Sequence, residues 1–235
     1  MAHLTGAPRE RYVQNMFAQI ADRYDLMNRI MTIGQDVHWR EEVIRRAELP
    51  DWGRLLDLGA GTGDLSRAAL RQVPTCRSVA ADFTVEMMRQ GRERHPWRSV
   101  AWSAADGLSL PFPDNTFDAV VSGFLLRNVS DVPRCLAEQY RVLKPGGRIV
   151  SLDTTPPPEN ALAPFIRFHL HTLIPALGSL IAGHGEAYQY LPDSTENFLE
   201  PERLARRFSE AGFHSVAFHR RMFGTVAIHW GVKAR

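Results

Sequence analysis

Cysteine is almost missing from this chain. Its 235 residues contain two, Cys76 and Cys135, far apart and in no metal-ligating spacing. That excludes a disulfide framework and a cysteine-built zinc site, and reduced thiols suit a cytoplasmic protein. A dominant charge is missing too: 28 basic against 26 acidic residues leave +2, which is no nucleic-acid footprint. There is no uninterrupted apolar run of spanning length. The most apolar stretch, LAPFIRFHLHTLIPALGSLIAG, is broken by Arg167, His169, His171 and Pro175, so no membrane span is expected. The N-terminal MAHLTGAPRERYVQNMF lacks the apolar core of a signal peptide. Repeats and low-complexity tracts are absent as well. Two histidines two apart, His169 and His171, point in different directions on a helix, so no metal site is expected.

What is present is an alternation of short β-rich runs with helical patterns, which predicts a mostly parallel sheet covered by helices. RLLDLG, SVAAD, VAWSAAD, AVVSGF and RIVSLD read as five strands. DLSRAALRQV, TVEMMRQGRER and VPRCLAEQYRVL read as the helices between them, with KPGG ending the last. ERLARRFSEAG is a helix with Pro201 in its first turn and Gly212 past its end. SVAFHRR and GTVAIHWGV close the chain as two strands joined by a glycine-containing turn. One domain over 1–235 is expected, with a helical extension at 8–48 and an insertion at 156–199.

LLDLGAGTGDLS carries the strongest chemical signal. A buried strand ends in Asp57, and Gly59, Gly61 and Gly63 follow at alternate positions. Glycine permits a sharp turn and a close approach to a ligand, and the helix after it offers free N–H groups. The spacing is not the G-x-G-x-x-G of dinucleotide sites, and Asp57 would repel a diphosphate. A cofactor with an ammonium, a sulfonium and a ribose fits better, which points to S-adenosylmethionine. Asp82 follows Gly61 by 21 positions, close to the interval of about 20 that places an acid beside ribose hydroxyls. Phe83 and Met87 are placed to flank an adenine or to pack in the core. Asp106, with Gly107, ends the third strand and can accept from the adenine amino group. Three successive strand ends in Asp57, Asp82 and Asp106 describe a nucleoside site.

DLGAGTGD, AADFTVEMM and LPFPDNTFDAV resemble class I S-adenosylmethionine-dependent methyltransferases, which implies a Rossmann-like fold with a mostly parallel seven-stranded sheet. FAQIADRYDLMNRIMTIGQDVHWR, LLRNVSD and YQYLPDSTENF resemble, more narrowly, the quinone-biosynthesis C-methyltransferases. The resemblance runs nearly the length of the chain. It implies cofactor contacts from Thr62, Asp82, Asp106 and Gly107. It also implies one at Gly123, where relatives have a serine and this chain keeps only backbone. His229 matches the C-terminal histidine of relatives, with its role open.

LLRNVSD sits where open α/β sheets bind ligands. Arg127 is expected to stabilise a phenolate, directly or through a water, and Asn128 to address the ring oxygens of a quinol. The bland alternative pairs Arg127 with Asp131 on the surface and has Asn128 cap a turn. RYDLMN is expected to form a lid, with Tyr24 over the cofactor and Asp25 or Asn28 reaching the substrate. The near-helical spacing of Tyr24, Met27 and Met31 equally describes a packed face. The apolar insertion can guide a prenyl tail, touch the bilayer surface, or pack on the sheet or in a homodimer interface.

The expected function is C-methylation of a prenylated quinol, demethylmenaquinol before the benzoquinol of ubiquinone synthesis. Methylation of another small molecule and cofactor binding without catalysis are the alternatives. The expected setting is the cytoplasm, at the membrane surface if the tail is to be met there.

Overall fold

The central strand β1 (Arg54–Leu58) is buried from its second residue onward, as a strand covered on both faces must be. Its apolar run therefore does not alternate with polar residues. Leu55 packs in one core and Leu56 in the other, because successive side chains leave opposite faces of the sheet. A computed structural model describes residues 7–21, 24–94, 99–159, 163–173 and 185–235. The remaining strands are β2 (Arg77–Asp82), β3 (Val100–Ala104), β4 (Phe117–Gly123), β5 (Leu143–Thr154), β6 (Phe213–Arg221) and β7 (Val226–Lys233).

They form one sheet in the order β3-β2-β1-β4-β5-β7-β6. The first five run parallel, and β7 enters antiparallel between β5 and β6. This is the seven-stranded, mostly parallel, Rossmann-like sheet that the sequence leads one to expect. The order reverses between β1 and β4, which opens a crevice at their carboxyl ends.

Helices α1 (Ala7–Ile20), α2 (Tyr24–Met31) and α3 (Gln35–Ala47) precede the sheet. Between strands lie α4 (Asp64–Gln72), α5 (Val85–Arg94) and α6 (Val132–Val142). The insertion holds α7 (Ala163–Phe168), a π-helical turn (His169–Leu173) and α8 (Gly185–Glu196), and α9 (Pro201–Glu210) follows. Pro201 stands at the start of α9, and Gly212 beyond its end has φ +100°.

The N-terminal extension divides in two. Trp39, Val43 and Ile44 of α3 belong to the same core as Leu55, Val150 and Ile228, so α3 is part of the sheet's packing. Met16, Ile20 and Met27 of α1 and α2 instead form a separate small cluster, which Tyr190 of α8 joins from its edge.

KPGG differs from expectation. It ends α6, but β5 already begins at Leu143, pairs Leu143 with Phe117, and regains register only at Arg148. Gly146, with φ +79°, absorbs that irregularity.

Candidate active site

The glycine loop leaves β1 and is closed down on β2 by hydrogen bonds from the Gly59 and Ala60 amides to the Ala81 carbonyl, at 2.8 and 3.1 Å. Gly59 (φ +69°) and Gly61 (φ +56°) need the left-handed backbone. They also lack room: a Cβ on Gly59 would stand 2.8 Å from Leu125 Cδ1, and one on Gly61 3.2 Å from Met87 Cε.

Asp82 fixes the loop from the next strand. Its Oδ2 accepts from the Gly61 amide and its Oδ1 from the Thr84 amide, both at 2.7 Å. Burial pushes its carboxyl above the usual range, partly offset by those two backbone donors. Gly59, Gly61, Asp82, Phe83, Asp106, Gly107, Gly123 and Asn128 line one cavity at the carboxyl ends of β1 to β4. The side chains of Val13, Gln14 and Phe17 from α1 also reach this cavity. Gln14 Nε2 donates to the Phe83 carbonyl at 3.1 Å, tying α1 to the loop after β2. Nothing local in the sequence marks these three α1 residues. Their helix is held at the cavity by the Gln14 bond to Phe83 and by the packing of Met16 and Ile20 with Met27 of α2 and Tyr190 of α8.

Several expected residues take other posts. Asp57 is buried and outside the cavity lining. It accepts from the Ser66 amide and hydroxyl, both at 2.8 Å, and so pins the first turn of α4 to the end of β1. Burial raises its pKa to about 7, the Ser66 hydrogen bonds offsetting part of the rise. Thr62 also faces away from the cavity lining, and its hydroxyl donates to Asp25 Oδ1 at 2.8 Å. Asp25 in turn accepts from Arg94 at 2.9 Å. Asp25 therefore clamps α2 to the glycine loop and to α5, in place of the substrate contact expected of it. Tyr24 opens α2, but its side chain lies outside the described residues. His229 is buried, receives a ring contact from Phe218 at 5.2 Å, and has Nε2 2.9 Å from the Pro201 carbonyl. Desolvation lowers its pKa to about 4, so it is a neutral packing residue.

LLRNVSD divides between two cavities. Asp131 does not pair with Arg127: it caps α6, accepting from the Arg134 amide at 2.9 Å. Arg127 is buried against Asp153 of β5, with Nη1 2.6 Å from Oδ1 and its own amide 3.2 Å from Oδ2. Its guanidinium lies 5.1 Å from the Phe124 ring centroid. Asn128 turns the other way: Nδ2 donates to the Phe124 carbonyl at 2.9 Å, and Oδ1 accepts from the Tyr190 hydroxyl at 3.2 Å. Thus the two neighbours line different cavities, and Asn128 both lines the first cavity and caps the turn.

Arg127 lines a second cavity of about 340 Å³. Its walls are largely apolar, from Met31, Ile33 and Trp39 of the extension, Phe165 and Ile166 of α7, and Met222, Phe223 and Val226 at the β6–β7 turn. The polar atoms are few and convergent: Asn28, His169 and several threonines join Arg127. Phe124 lines both cavities, held with φ +61° by its amide bond to the Leu152 carbonyl at 2.7 Å. Asn28, with Asp25 one of the two residues of RYDLMN expected to reach a substrate, lines the second cavity.

The sheet order, the glycine cradle too tight for a Cβ and the carboxylates at successive strand ends define a class I S-adenosylmethionine-dependent methyltransferase. Over residues 5–233 the chain matches the model of the ubiE/COQ5 methyltransferase family, and it belongs to that family. It is 48% identical to the ubiquinone/menaquinone biosynthesis C-methyltransferase UbiE of Desulfotalea psychrophila, covering 94% of this chain and 90% of that one. It is 43% identical to the demethylmenaquinone methyltransferase of Thermus thermophilus, covering 92% and 99%. Among solved structures, a chain of the complex between the Haloferax volcanii Trm112 methyltransferase activator and a methyltransferase superposes with a TM-score of 0.68. Identity there is 20%, over 93% of this chain and 98% of that one, which speaks to the fold alone.

Proposed function

We propose that the protein methylates a ring carbon of a prenylated quinol, demethylmenaquinol in preference to the benzoquinol of the ubiquinone route. The observation that carries this reading is the second cavity. It is apolar, of a size for a bicyclic ring, and meets the first at Phe124. The Thermus relative is named for demethylmenaquinone alone and the Desulfotalea relative for both quinones, which supports a quinol and leans to the naphthoquinol.

S-adenosylmethionine supplies a methyl group made electrophilic by its sulfonium. The protein supplies position and electrostatics. Asp82 is placed to accept the ribose hydroxyls, with Asp106 and Gly107 toward the adenine and Gly123 offering backbone. Asp57 and Thr62 hold the loop's shape from behind, and Tyr24 is assigned to the cover by family resemblance. On the substrate side, Arg127, paired with Asp153, stabilises the phenolate as it forms. Holding the ring across Phe124 from the methyl supplies much of the rate.

Among the described residues no helix is long and apolar enough to cross a membrane. The second cavity nevertheless opens through a rim of Ile33, Phe165 and Phe223, which are 79%, 74% and 72% exposed. Ile33 and Phe223 hold these side chains outward on left-handed backbone (φ +53° and +55°), strain that is retained where the surroundings use it. This rim meets the bilayer surface and takes the prenyl tail from it. Replacing Ile33 and Phe223 by serine is expected to lower co-sedimentation with phospholipid vesicles severalfold, while cofactor affinity holds.

The assay for the main reading offers demethylmenaquinol and the demethylated ubiquinol precursor in parallel, under reducing conditions, with labelled S-adenosylmethionine. Label in the naphthoquinol alone is the expected result. Equal label in both makes the enzyme serve two routes, and label in neither overturns the quinol reading.

A further inference from the structure

Methylating a phenolic ring carbon requires a proton acceptor for the hydroxyl, and the second cavity must contain it if the quinol binds there. Arg127 cannot fill that role, since a guanidinium stays protonated in proteins. Its Nη1 is moreover already given to Asp153 at 2.6 Å. Among the described residues lining this cavity, the other ionisable side chain is His169; the rest are apolar, threonines and Asn28. Imidazole is the side chain that exchanges protons near neutral pH.

We propose that His169 is the general base of the reaction, taking the phenolic proton on Nε2, an inference that rests on the quinol reading of the second cavity. His169 Nε2 is buried and has no hydrogen-bond partner among the described residues. The same holds for Asn28 Nδ2, which comes from α2, a different wall of the same cavity. Buried polar atoms are ordinarily satisfied. One unpartnered nitrogen able to accept and one able to donate, in a single apolar cavity, match a ligand with a hydroxyl to give up and a second oxygen to be held.

The backbone at His169 is also special. α7 passes there into a π-helical turn, a device that recurs where a side chain must be re-aimed. The turn is anchored on both sides. His171 Nε2 lies 2.8 Å from Glu196 Oε1 on α8, and Thr195 of α8 donates to Thr154 at the end of β5 at 3.0 Å.

In the step, the hydroxyl O–H bond breaks and an N–H bond forms at His169 Nε2. The electron pair stays on oxygen and delocalises to the ring carbon that receives the methyl. Arg127 faces the resulting phenolate, while its pairing with Asp153 keeps the arginine from repelling the new imidazolium with a full charge. That carbon bonds the methyl as the methyl–sulfur bond breaks. It then gives up its own hydrogen as a proton to restore the aromatic ring, the oxygen regains a proton from the imidazolium, and one proton in net passes to solvent. No oxidant or reductant is needed.

The test uses the full chain with S-adenosylhomocysteine bound and a 3-alkyl-4-methoxy-1-naphthol, which has one ionisable hydroxyl. Near neutral pH a phenol of pKa about 10 is protonated in water, and naphthol and naphtholate absorb at different wavelengths. Bound to the wild type, the probe is expected to show the naphtholate band. His169→Gln should bind it within about threefold yet leave it neutral. With quinol and S-adenosylmethionine the same variant should lose roughly 10²–10⁴-fold in kcat, with KM little changed. His169→Phe, which keeps the cavity apolar and filled, serves the same comparison if the glutamine variant does not fold. Neutral naphthol on the wild type, or an active His169→Gln with the band intact, overturns the assignment while quinol methylation stands. A wild type that neither binds the probe nor methylates a quinol overturns the substrate reading and this inference together.

Discussion

The first cavity takes its glycine loop and its two carboxylates from consecutive strand ends, with Gly59 and Gly61 after β1, Asp82 closing β2 and Asp106 after β3, all within 48 residues of chain, while Gln14 and Asn128 join its wall from α1 and the β4 end. The second collects Asn28, Trp39, Arg127, His169 and Val226 from the extension, the β4 end, the insertion and the last hairpin. One is held by backbone amides donating to carboxylates, the other by side chains packed edge to edge. A cofactor common to many acceptors calls for a local cradle that any such sheet can rebuild. The walls of the second cavity are added around the sheet by the extension, the insertion and the last hairpin.

Changes in one cavity should therefore leave the other's ligand alone, and the largest expected separation is at Arg127. Arg127→Ala should reduce kcat by on the order of 10³-fold. It should also cost about 3–5 kcal/mol of stability, because Asp153 is left buried without its cation. Affinity for S-adenosylhomocysteine, measured by calorimetry, should hold within about threefold, and a parallel collapse would erase the distinction. Arg127→Met combined with Asp153→Leu should recover most of the stability and none of the activity.

Asp82→Ala comes next. Two charge-assisted bonds to the loop disappear, and with them the proposed acceptor for the ribose, so cofactor affinity should fall on the order of 10²-fold. Binding of a naphthol probe to the second cavity should change little. Asp57→Asn sharpens the boundary of the first cavity. Asn can still accept both Ser66 donors, so cofactor affinity should stay within about threefold. A loss as large as at Asp82 would return Asp57 to the cofactor-contacting set that its place in the strand suggested. The same variant tests the raised carboxyl. With a folded value of about 7 against 3.8, the folded state binds the extra proton, and stability drains away as pH rises from about 4 through 7. Urea titrations of Asp57→Asn should lose that component.

His229 belongs to neither cavity, so the smallest effect on turnover is expected there. Its folded pKa of about 4 lies below the ordinary 6.5. The unfolded chain takes up a proton first, and stability is lost as pH falls from about 6.5 through 4, by about 3 kcal/mol in all. His229→Gln should shed this dependence, so that its deficit against the wild type shrinks toward pH 4. A large loss of kcat at neutral pH would instead assign His229 a part in the reaction.

Most of the sheet was legible because its cause is local. Alternation of apolar runs with helical spacing, Pro201 at a helix start and Gly59 and Gly61 at a strand end act over a few residues, and they survive as pattern. KPGG misled only in part, since its stop of α6 is local while the early start of β5 depends on Phe117 across the sheet.

Within LLRNVSD, the sequence placed Arg127 and Asn128 just past a strand end, beside the crevice of the sheet. Tertiary structure decided that they face different cavities, because Asp153 on β5 draws one side chain and Tyr190 on α8 the other. The sequence likewise determined the nucleoside cradle, whose turn geometry and carboxylates are written within single βα units. It did not determine that Asn28 and His169 would line one cavity, nor that Asp57 would lie outside the lining of the other. Those depend on contacts between segments more than a hundred residues apart or on which face of a packed turn a carboxylate finds its donors. Only the folded chain brings such partners within hydrogen-bonding reach.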